Sequence, residues 1–346
     1  MKKFICITLL SLIGVVLISF TNNLKARIYT IYSYLDNSRY TTSITQRINE
    51  SSNISCTTNY YSINLKSKAK KSLLNELINT QADSGLIMII DQTGEIITQS
   101  SLVLSGDTYK DGDTNVFNQP RYIGGLIYPF PMMIALKDKV LIPSDTVDVE
   151  NGTYIYKGAR MTDHNYENGG YGVLTTRQVF GYGSNIGMAK LILKGYEDKQ
   201  MKFVSSMIDL GFKIDTANWS ATSLPWLTIG YETMISPVDL IHLYGDIANN
   251  RIKGYENVIP DIQNMMRFCV EEGTGKNVDS DYMEIAGKTS TIITSKEQEV
   301  SFCGYFSIDN SIYTCLVIIS NPKNGYPSGG IMAGNVIKEI VNSLNR

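Results

Sequence analysis

The stretch EIAGKTSTII, residues 284–293, is a run of β-branched and small residues around the triplet Lys-Thr-Ser. Two similar runs follow, VSFCGYFS at 300–307 and SIYTCLVIIS at 311–320, and Asp309–Asn310 places turn-forming residues between them. Runs of this kind separated by a short polar turn predict antiparallel strands. The C-terminal third is therefore predicted to form much of a sheet.

The segment before residue 100 predicts further strands of this sheet. Residues 85–90 are continuously apolar, which is typical of a strand buried on both faces. Residues 92–94 form a turn, and residues 95–100 return as a second strand. Upstream, residues 60–65 are predicted to be a strand, and residues 67–79 carry apolar residues at helical spacing.

The middle of the chain is predicted to be mainly helical. Pro129 lies early in the apolar run 126–136, and a helix accepts proline in its first turn, so Gly124–Gly125 lie at the helix entrance. Ser236 precedes a proline and starts a helix that runs to about residue 249. A closing amphipathic helix is predicted from residue 329 to 344. An antiparallel sheet covered by helices is the expected architecture, of fold class α+β.

The composition suits one large globular core. The 346 residues are 43% hydrophobic and 18% charged. The net charge of −2 comes from interspersed acidic and basic residues, without a basic stripe that would neutralise phosphates. Nucleic acid is therefore not expected as a partner.

The N-terminus carries a membrane signal. Lys2 and Lys3 precede an uncharged apolar run from Phe4 to Phe20, whose length fits either a cleaved signal peptide or a retained anchor. Residues 21–24 make a poor small-x-small cleavage site, which favours one uncleaved transmembrane helix. The remainder of the chain is then expected on the extracytoplasmic, periplasmic side of the cytoplasmic membrane.

Three regions follow from these patterns. Residues 1–20 are the predicted membrane anchor or signal segment, and residues 21–59, rich in polar residues and tyrosine, are a juxtamembrane connector. Residues 60–346 are predicted to form the folded domain.

The five cysteines do not predict a metal site. Cys6 lies inside the apolar run, where it is badly placed for lipid modification, and the spacing of Cys56, Cys269, Cys303 and Cys315 matches no zinc pattern. We interpret them as buried or incidental thiols. The last two flank the predicted turn almost symmetrically and are expected to lie close together on neighbouring strands. No cofactor is predicted.

Several segments occur in the order found in one protein family. They are residues 85–100, 172–190, 224–250, the pair 271–275 and 286–289, and the pair 302–306 and 321–323. Together they resemble the penicillin-binding protein transpeptidase domain, most closely its class B, septal cell-division type, within the serine β-lactamase-like superfamily. The resemblance covers roughly residues 60–346. It implies an antiparallel sheet flanked by helices, with a helical subdomain.

The resemblance also identifies where the family's chemistry would lie. Family members use a serine nucleophile, a lysine one helical turn later, a Ser-x-Asn motif and a Lys-Thr-Gly strand. In this chain Gly125 occupies the serine position and Tyr128 the lysine position. Gly183 replaces the leading serine of the second motif. Loss of a nucleophile costs on the order of 10⁶ in turnover.

Part of the family's ligand-binding set is retained. Asn185 keeps the asparagine of the second motif, and Lys288, Thr289 and Ser290 occupy the third motif with serine in place of glycine. These residues either bind a ligand or serve the fold, Asn185 as a helix cap and Lys288 with Thr289 at a strand edge. Tyr128 either donates a hydrogen bond to a ligand or fills the space left by the lysine.

Two serines and two histidines are candidate substitutes for the nucleophile, and none of them suits the role. Ser184 would point away if Asn185 faces the cleft, and Ser290 lies on a strand. His164 lies in a polar loop and His242 inside a helix, so both histidines are interpreted as structural.

Two hypotheses therefore remain. The first is a non-catalytic, membrane-anchored protein of peptidoglycan synthesis or cell division. It would bind peptidoglycan stem peptide or β-lactam weakly and non-covalently, or other division and cell-wall synthesis proteins. The second is an active D,D-transpeptidase or carboxypeptidase with a displaced nucleophile. A serine placed at Gly125 is expected to be tolerated by the fold, because serine suits a helix start.

Overall fold

A computed structural model of the chain describes residues 56–294 and 297–344. The chain divides into two compact units, residues 1–60 and residues 61–346. The predicted anchor over residues 1–20 lies outside the described residues, and so does most of the connector. Within the described part, none of the helices combines the length and the apolar character needed to cross a bilayer.

The unit from residue 61 onward combines helices with a main sheet and three small two-stranded sheets. The α-helices are α1 (Cys56–Thr80), α2 (Pro129–Lys137), α3 (Thr176–Tyr182), α4 (Asn185–Tyr196), α5 (Gln200–Asp209), α6 (Ser223–Thr228), α7 (Pro237–Ala248), α8 (Ile259–Glu271) and α9 (Gly334–Leu344). The strands are β1 (Ser84–Ile90), β2 (Ile96–Ser105), β3 (Thr108–Asp111), β4 (Thr146–Asp148), β5 (Thr153–Tyr156), β6 (Ala159–Thr162), β7 (Val173–Thr175), β8 (Lys213–Ile214), β9 (Thr233–Met234), β10 (Ile285–Ile293), β11 (Gln298–Ile308) and β12 (Ser311–Ser320).

The main sheet has the order β10-β11-β12-β1-β2-β3, and each neighbouring pair is antiparallel. The strands predicted from the runs at 85–90, 284–293, 300–307 and 311–320 are therefore confirmed, as is the α+β class. β1 lies between β2 and β12 and is buried along nearly its whole length, as its continuous apolar run predicted. β10 forms one edge of the sheet.

The strand predicted over residues 60–65 is wrong, because this segment belongs to α1. Leu65, Ala69, Leu73 and Leu77 recur every four residues and are all fully buried. This stripe starts at Leu65, so a helix that buries it must begin before that residue. The stripe packs on β1, where a Cβ atom at Gly85 would lie 2.8 Å from the side chain of Leu77.

A helical block folds onto the other face of the sheet. It comprises the chain between β3 and β10, whose apolar side chains form one large core with that face. Two predicted helix starts are confirmed. Pro129 opens α2 after a 3₁₀ turn at Gly124–Ile127, and the Ser236 hydroxyl caps α7. The closing helix is also confirmed as α9, preceded by a π-helical turn at Gly329–Ala333.

Cys303 and Cys315 lie on the adjacent strands β11 and β12, as predicted. Cys303 is opposite Leu316, and Cys315 is opposite Gly304, so the two cysteines are offset by one residue in the register. Successive side chains of a strand point to opposite faces of a sheet. The Cys303 thiol therefore faces the core below the helical block, whereas the Cys315 thiol faces the side covered by α1 and α9.

This offset predicts that Cys303 and Cys315 stay reduced in the folded protein even under oxidising conditions. Alkylation of the unfolded protein without reductant, followed by peptide mass analysis, should label both residues. The same analysis with reductant is the control and should give equal labelling. A peptide pair joined through these two cysteines would contradict the register.

Candidate active site

The structure brings the three family motifs to one place. The 3₁₀ turn Gly124–Ile127 lies against β10, so that a Cβ atom at Gly125 would be 2.9 Å from the carbonyl oxygen of Thr289 and 3.7 Å from Lys288 Nζ. A Cβ atom at Gly183 would lie 3.6 Å from the same Nζ. The ammonium group of Lys288 is therefore next to both positions that carry serine in the family that this chain resembles.

Lys288 is enclosed by the protein, with 2% of its surface exposed. Its Nζ donates a hydrogen bond to the carbonyl oxygen of Thr289 at 3.0 Å and lies 5.0 Å from the ring centre of Tyr128. Burial lowers the pKa of the Lys288 ammonium group, because removal from water disfavours the charged form. The side chain is buried although β10 forms one edge of the sheet.

Tyr128 fills the space beside Lys288. Its ring is buried and meets Phe180 edge to face, and its hydroxyl donates a hydrogen bond to Asn185 Oδ1 at 2.8 Å. Burial raises the pKa of Tyr128 well above its usual value, so the phenol keeps its proton. Tyr128 thus joins the first motif to the second, and its hydroxyl uses its hydrogen-bond donor within the protein.

Ser184, and not Asn185, caps α4. The Ser184 hydroxyl accepts a hydrogen bond from the Gly187 amide at 2.9 Å and donates one to Asp163 Oδ2 at 2.6 Å. Asp163 Oδ1 accepts from the Ile186 amide at 3.0 Å. Asp163 is buried, and burial raises the pKa of its carboxyl group despite these bonds. The interpretation of Asn185 as the helix cap is therefore wrong.

The segment after β6 holds Asn185 in place. The side-chain amide of Asn185 donates to the carbonyl oxygen of Thr162 at 3.1 Å, beside Asp163. The role of Asp163 was not predicted, since no motif spacing links it to Ser184. Only the return of the β5–β6 hairpin to the start of α4 brings them together.

The third motif is bonded inward as well. The Gly125 amide donates a hydrogen bond to Ser290 Oγ at 3.0 Å, and the hydroxyls of Thr289 and Thr274 are 2.6 Å apart. Lys288, Thr289 and Ser290 are all buried. Each side chain predicted to bind a ligand therefore has a hydrogen-bond partner within the protein.

The sequence model of the penicillin-binding protein transpeptidase domain matches residues 109–342, well over half of the chain. The chain belongs to this family. A search of curated protein sequences finds no match. In the transpeptidase domain of this chain, the motif positions come together as the resemblance implied, but with glycine at two of the serine positions.

Several solved structures share the fold. The transpeptidase domain of penicillin-binding protein 3 from Burkholderia pseudomallei has a TM-score of 0.66 at 20% identity, over 81% of this chain and 93% of that one. A peptidoglycan glycosyltransferase from Burkholderia ambifaria gives 0.65 at 19%, over 81% and 96%. The transpeptidase domain of the FtsI4 D,D-transpeptidase from Legionella pneumophila gives 0.61 at 21%, over 82% and 97%.

The backbone of this transpeptidase domain disfavours a side chain at Gly125 and at Gly183, for different reasons. A Cβ atom at Gly125 would lie 2.9 Å from a backbone oxygen, which real Cβ atoms essentially never do. Gly183 ends α3 with φ of 68°, a conformation that favours glycine. The expectation that the fold tolerates serine at Gly125 is therefore wrong, because the Thr289 carbonyl occupies the space.

The histidines lie outside this arrangement of motif residues. His164 Nε2 is 2.9 Å from the hydroxyl of Tyr171, and its ring meets that tyrosine edge to face. His242 lies within α7, beside the turn at Gly94. Neither of these contacts involves a serine.

We predict that Lys288→Met raises the free energy of unfolding at neutral pH by about 1–3 kcal/mol, because an apolar side chain removes the cost of burying the ammonium. The gain should shrink as pH rises. Since burial lowers the pKa in the folded state, the unfolded chain binds more protons between that pKa and the usual 10.5. The native protein therefore gains stability with pH in this window, and the variant does not.

Urea unfolding of the full-length protein at pH 7, 8 and 9.5 measures both effects. Lys194→Met is the control, because this lysine is largely exposed and should change little at any pH. A loss of stability in Lys288→Met at pH 7 would show that the buried ammonium is well compensated.

Proposed function

We propose that this chain is a non-catalytic member of the transpeptidase family that acts by binding in peptidoglycan synthesis or cell division. The observation that carries the proposal is the closed space at Gly125. A Cβ atom at Gly125 would lie 2.9 Å from the carbonyl oxygen of Thr289, so a side chain at this position has little room. Gly125 itself has no side-chain atom that can form an acyl bond.

The missing nucleophile outweighs the other changes. Loss of the nucleophile in a serine hydrolase costs on the order of 10⁶ in turnover, about 8 kcal/mol of transition-state stabilisation. The neighbouring groups do not offset this loss. Tyr128, at the position of the family's lysine, is a buried phenol with a raised pKa, and its hydroxyl donates a hydrogen bond to Asn185. It is therefore not placed to act as a base for a hydroxyl at residue 125.

The contacts of two serines weigh against a displaced nucleophile. Ser184 is completely buried, and its hydroxyl donates a hydrogen bond to Asp163. Ser290 is almost completely buried, and its oxygen accepts the amide hydrogen of Gly125. Neither oxygen is open to a substrate carbonyl, so the hypothesis of an active D,D-transpeptidase or carboxypeptidase is the weaker one.

The ligand class that we propose follows from the family. Members of this family bind β-lactams and peptidoglycan stem peptides. We infer weak, non-covalent binding of such ligands here, through Asn185, Lys288, Thr289 and Ser290. Affinity should be low because these side chains must first exchange their internal partners. Division or cell-wall synthesis proteins are the second proposed class of partner.

We predict that the native protein forms no covalent adduct with penicillin. Intact mass measurement after incubation with benzylpenicillin should show an unchanged mass, because no side chain is placed to be acylated. A catalytically active penicillin-binding protein, treated in parallel, is the positive control. An adduct on the native chain, mapped by peptide mass to any residue, would disprove the proposal.

The same mass measurement on substituted variants tests what each motif position contributes to labelling by penicillin. Gly125→Ser alone should recover little labelling, since neither Tyr128 nor Gly183 supplies a proton acceptor for the new hydroxyl. Gly125→Ser with Tyr128→Lys and Gly183→Ser is the smallest set that supplies nucleophile and proton acceptors. The set should also destabilise the fold, because of the close contact at Gly125 and the positive φ at Gly183. Folding of each variant is therefore checked by circular dichroism first.

We also propose that the chain crosses the cytoplasmic membrane once, with the transpeptidase domain outside. Lys2, Lys3 and the apolar run Phe4–Phe20 support this topology. A reporter that works only after export, fused behind Arg346, should be active, and one that works only in the cytoplasm should be inactive. Replacement of three leucines of the run by aspartate should abolish export, and the reverse reporter pattern in the native fusion would refute the topology.

A further inference from the structure

The backbone amide of Gly125 already donates a hydrogen bond to a side chain of the protein. It lies in the 3₁₀ turn that carries the lost nucleophile position, and it donates to Ser290 Oγ at 3.0 Å. In acyl-transfer sites, a backbone amide at the nucleophile is the donor that meets the carbonyl oxygen of a bound acyl ligand. Here the hydroxyl of Ser290, with 5% of the residue exposed, takes that acceptor position.

Two glycines make this contact sterically feasible. A Cβ atom at Gly124 would lie 2.5 Å from Ser290 Oγ and 2.8 Å from Ile292 Cγ1. Behind the turn, a Cβ atom at Gly230 would lie 2.4 Å from the carbonyl oxygen of Gly124. The turn is therefore held between residue 230 on one side and the Ser290 and Ile292 side chains on the other. It has no room to retreat while the hydroxyl stays in place.

The strand that carries Ser290 is held from behind. Gly329 packs on Ser290, where an added Cβ would lie 2.4 Å from the Ser290 carbonyl oxygen. The Gly329 amide also donates to Thr291 Oγ1 at 3.2 Å. β10 therefore has three neighbours. It pairs with β11 along one edge, the 3₁₀ turn packs against Ser290, and the π-helical turn at Gly329–Ala333 packs on the other face. A ligand at this site must displace the hydroxyl and cannot push the strand aside.

We propose that the Ser290 hydroxyl occupies the place that the carbonyl oxygen of a ligand would take beside the Gly125 amide. It competes with carbonyl ligands for this amide and so lowers their affinity for the protein. The inference rests on the proposed function, since it concerns ligand binding at that site. It changes the role of Ser290 from a ligand contact to a competitor of the ligand. The ligand class is an acyl compound, β-lactam or peptide, whose carbonyl oxygen would accept the Gly125 amide hydrogen.

Hydrogen exchange of the Gly125 amide in full-length protein tests the occupant directly. Mass spectrometry with electron-transfer fragmentation resolves this amide from those of Leu126 and Tyr128, which have backbone acceptors and serve as internal references. Ser290→Ala should speed exchange at Gly125 at least tenfold and leave both references unchanged. The matched control is Ser301→Ala, which alters the buried serine opposite Ser290 on β11. Equal Gly125 exchange in the native protein and Ser290→Ala would overturn the proposal.

Reversible binding of benzylpenicillin, measured by calorimetry, tests the consequence. Ser290→Gly, which restores the family residue, should bind roughly three- to tenfold more tightly than the native protein, since the ligand no longer replaces an internal hydrogen bond. Ser290→Ala should also gain affinity, which keeps the test valid if the glycine variant does not fold. Ser301→Ala should match the native protein.

If neither Ser290 variant gains affinity, the role of Ser290 as competitor is refuted. Failure of the proposed function has a different signature, because a covalent penicilloyl adduct on the native chain would change the intact mass. Such an adduct would leave the exchange comparison at Gly125 intact. The two conclusions therefore fail separately.

Discussion

The antiparallel pairing of β1 with β12 is the contact on which the arrangement of this protein depends. It joins residues 84–90 to residues 314–320, which are more than two hundred positions away in the chain. On the β12 side of this pair the sheet continues with β11 and β10, and on the β1 side it continues with β2 and β3. β10 is thereby placed at the sheet edge, and the long helical insertion must fold onto one face of the sheet.

This placement explains why the motif positions meet on β10. The turn at residues 124–127 and the loop before α4 are well separated along the insertion, yet both lie within contact distance of Lys288. The Tyr128 hydroxyl links them by its hydrogen bond to Asn185. On the β10 side, the carbonyl oxygen of Thr289 limits the space at Gly125.

Lys288 illustrates the chemical consequence. A lysine between two serines has hydroxyl groups with which to exchange protons, whereas this lysine has a carbonyl oxygen and an aromatic ring. Its ammonium is desolvated, and the hydrogen bond that it donates to Thr289 leads back to its own strand. Burial lowers the pKa of this ammonium group, which lies near two glycines where a serine hydroxyl would be its proton-exchange partner.

The sequence by itself determined most of the sheet, because β-branched runs and turn residues are local signals, as in residues 284–293 and 311–320. It also predicted that Gly125 occupies the family's serine position, because a motif is recognised from the identity of its residues. It placed residues 60–65 wrongly in a strand, since the stripe from Leu65 to Leu77 shows as helical only when all four members are counted. Only the tertiary structure decided the roles of Asp163 and Ser290. Their partners, Ser184 and the Gly125 amide, are distant in the chain, and a hydrogen bond between distant residues depends on folding and leaves no periodicity in the sequence.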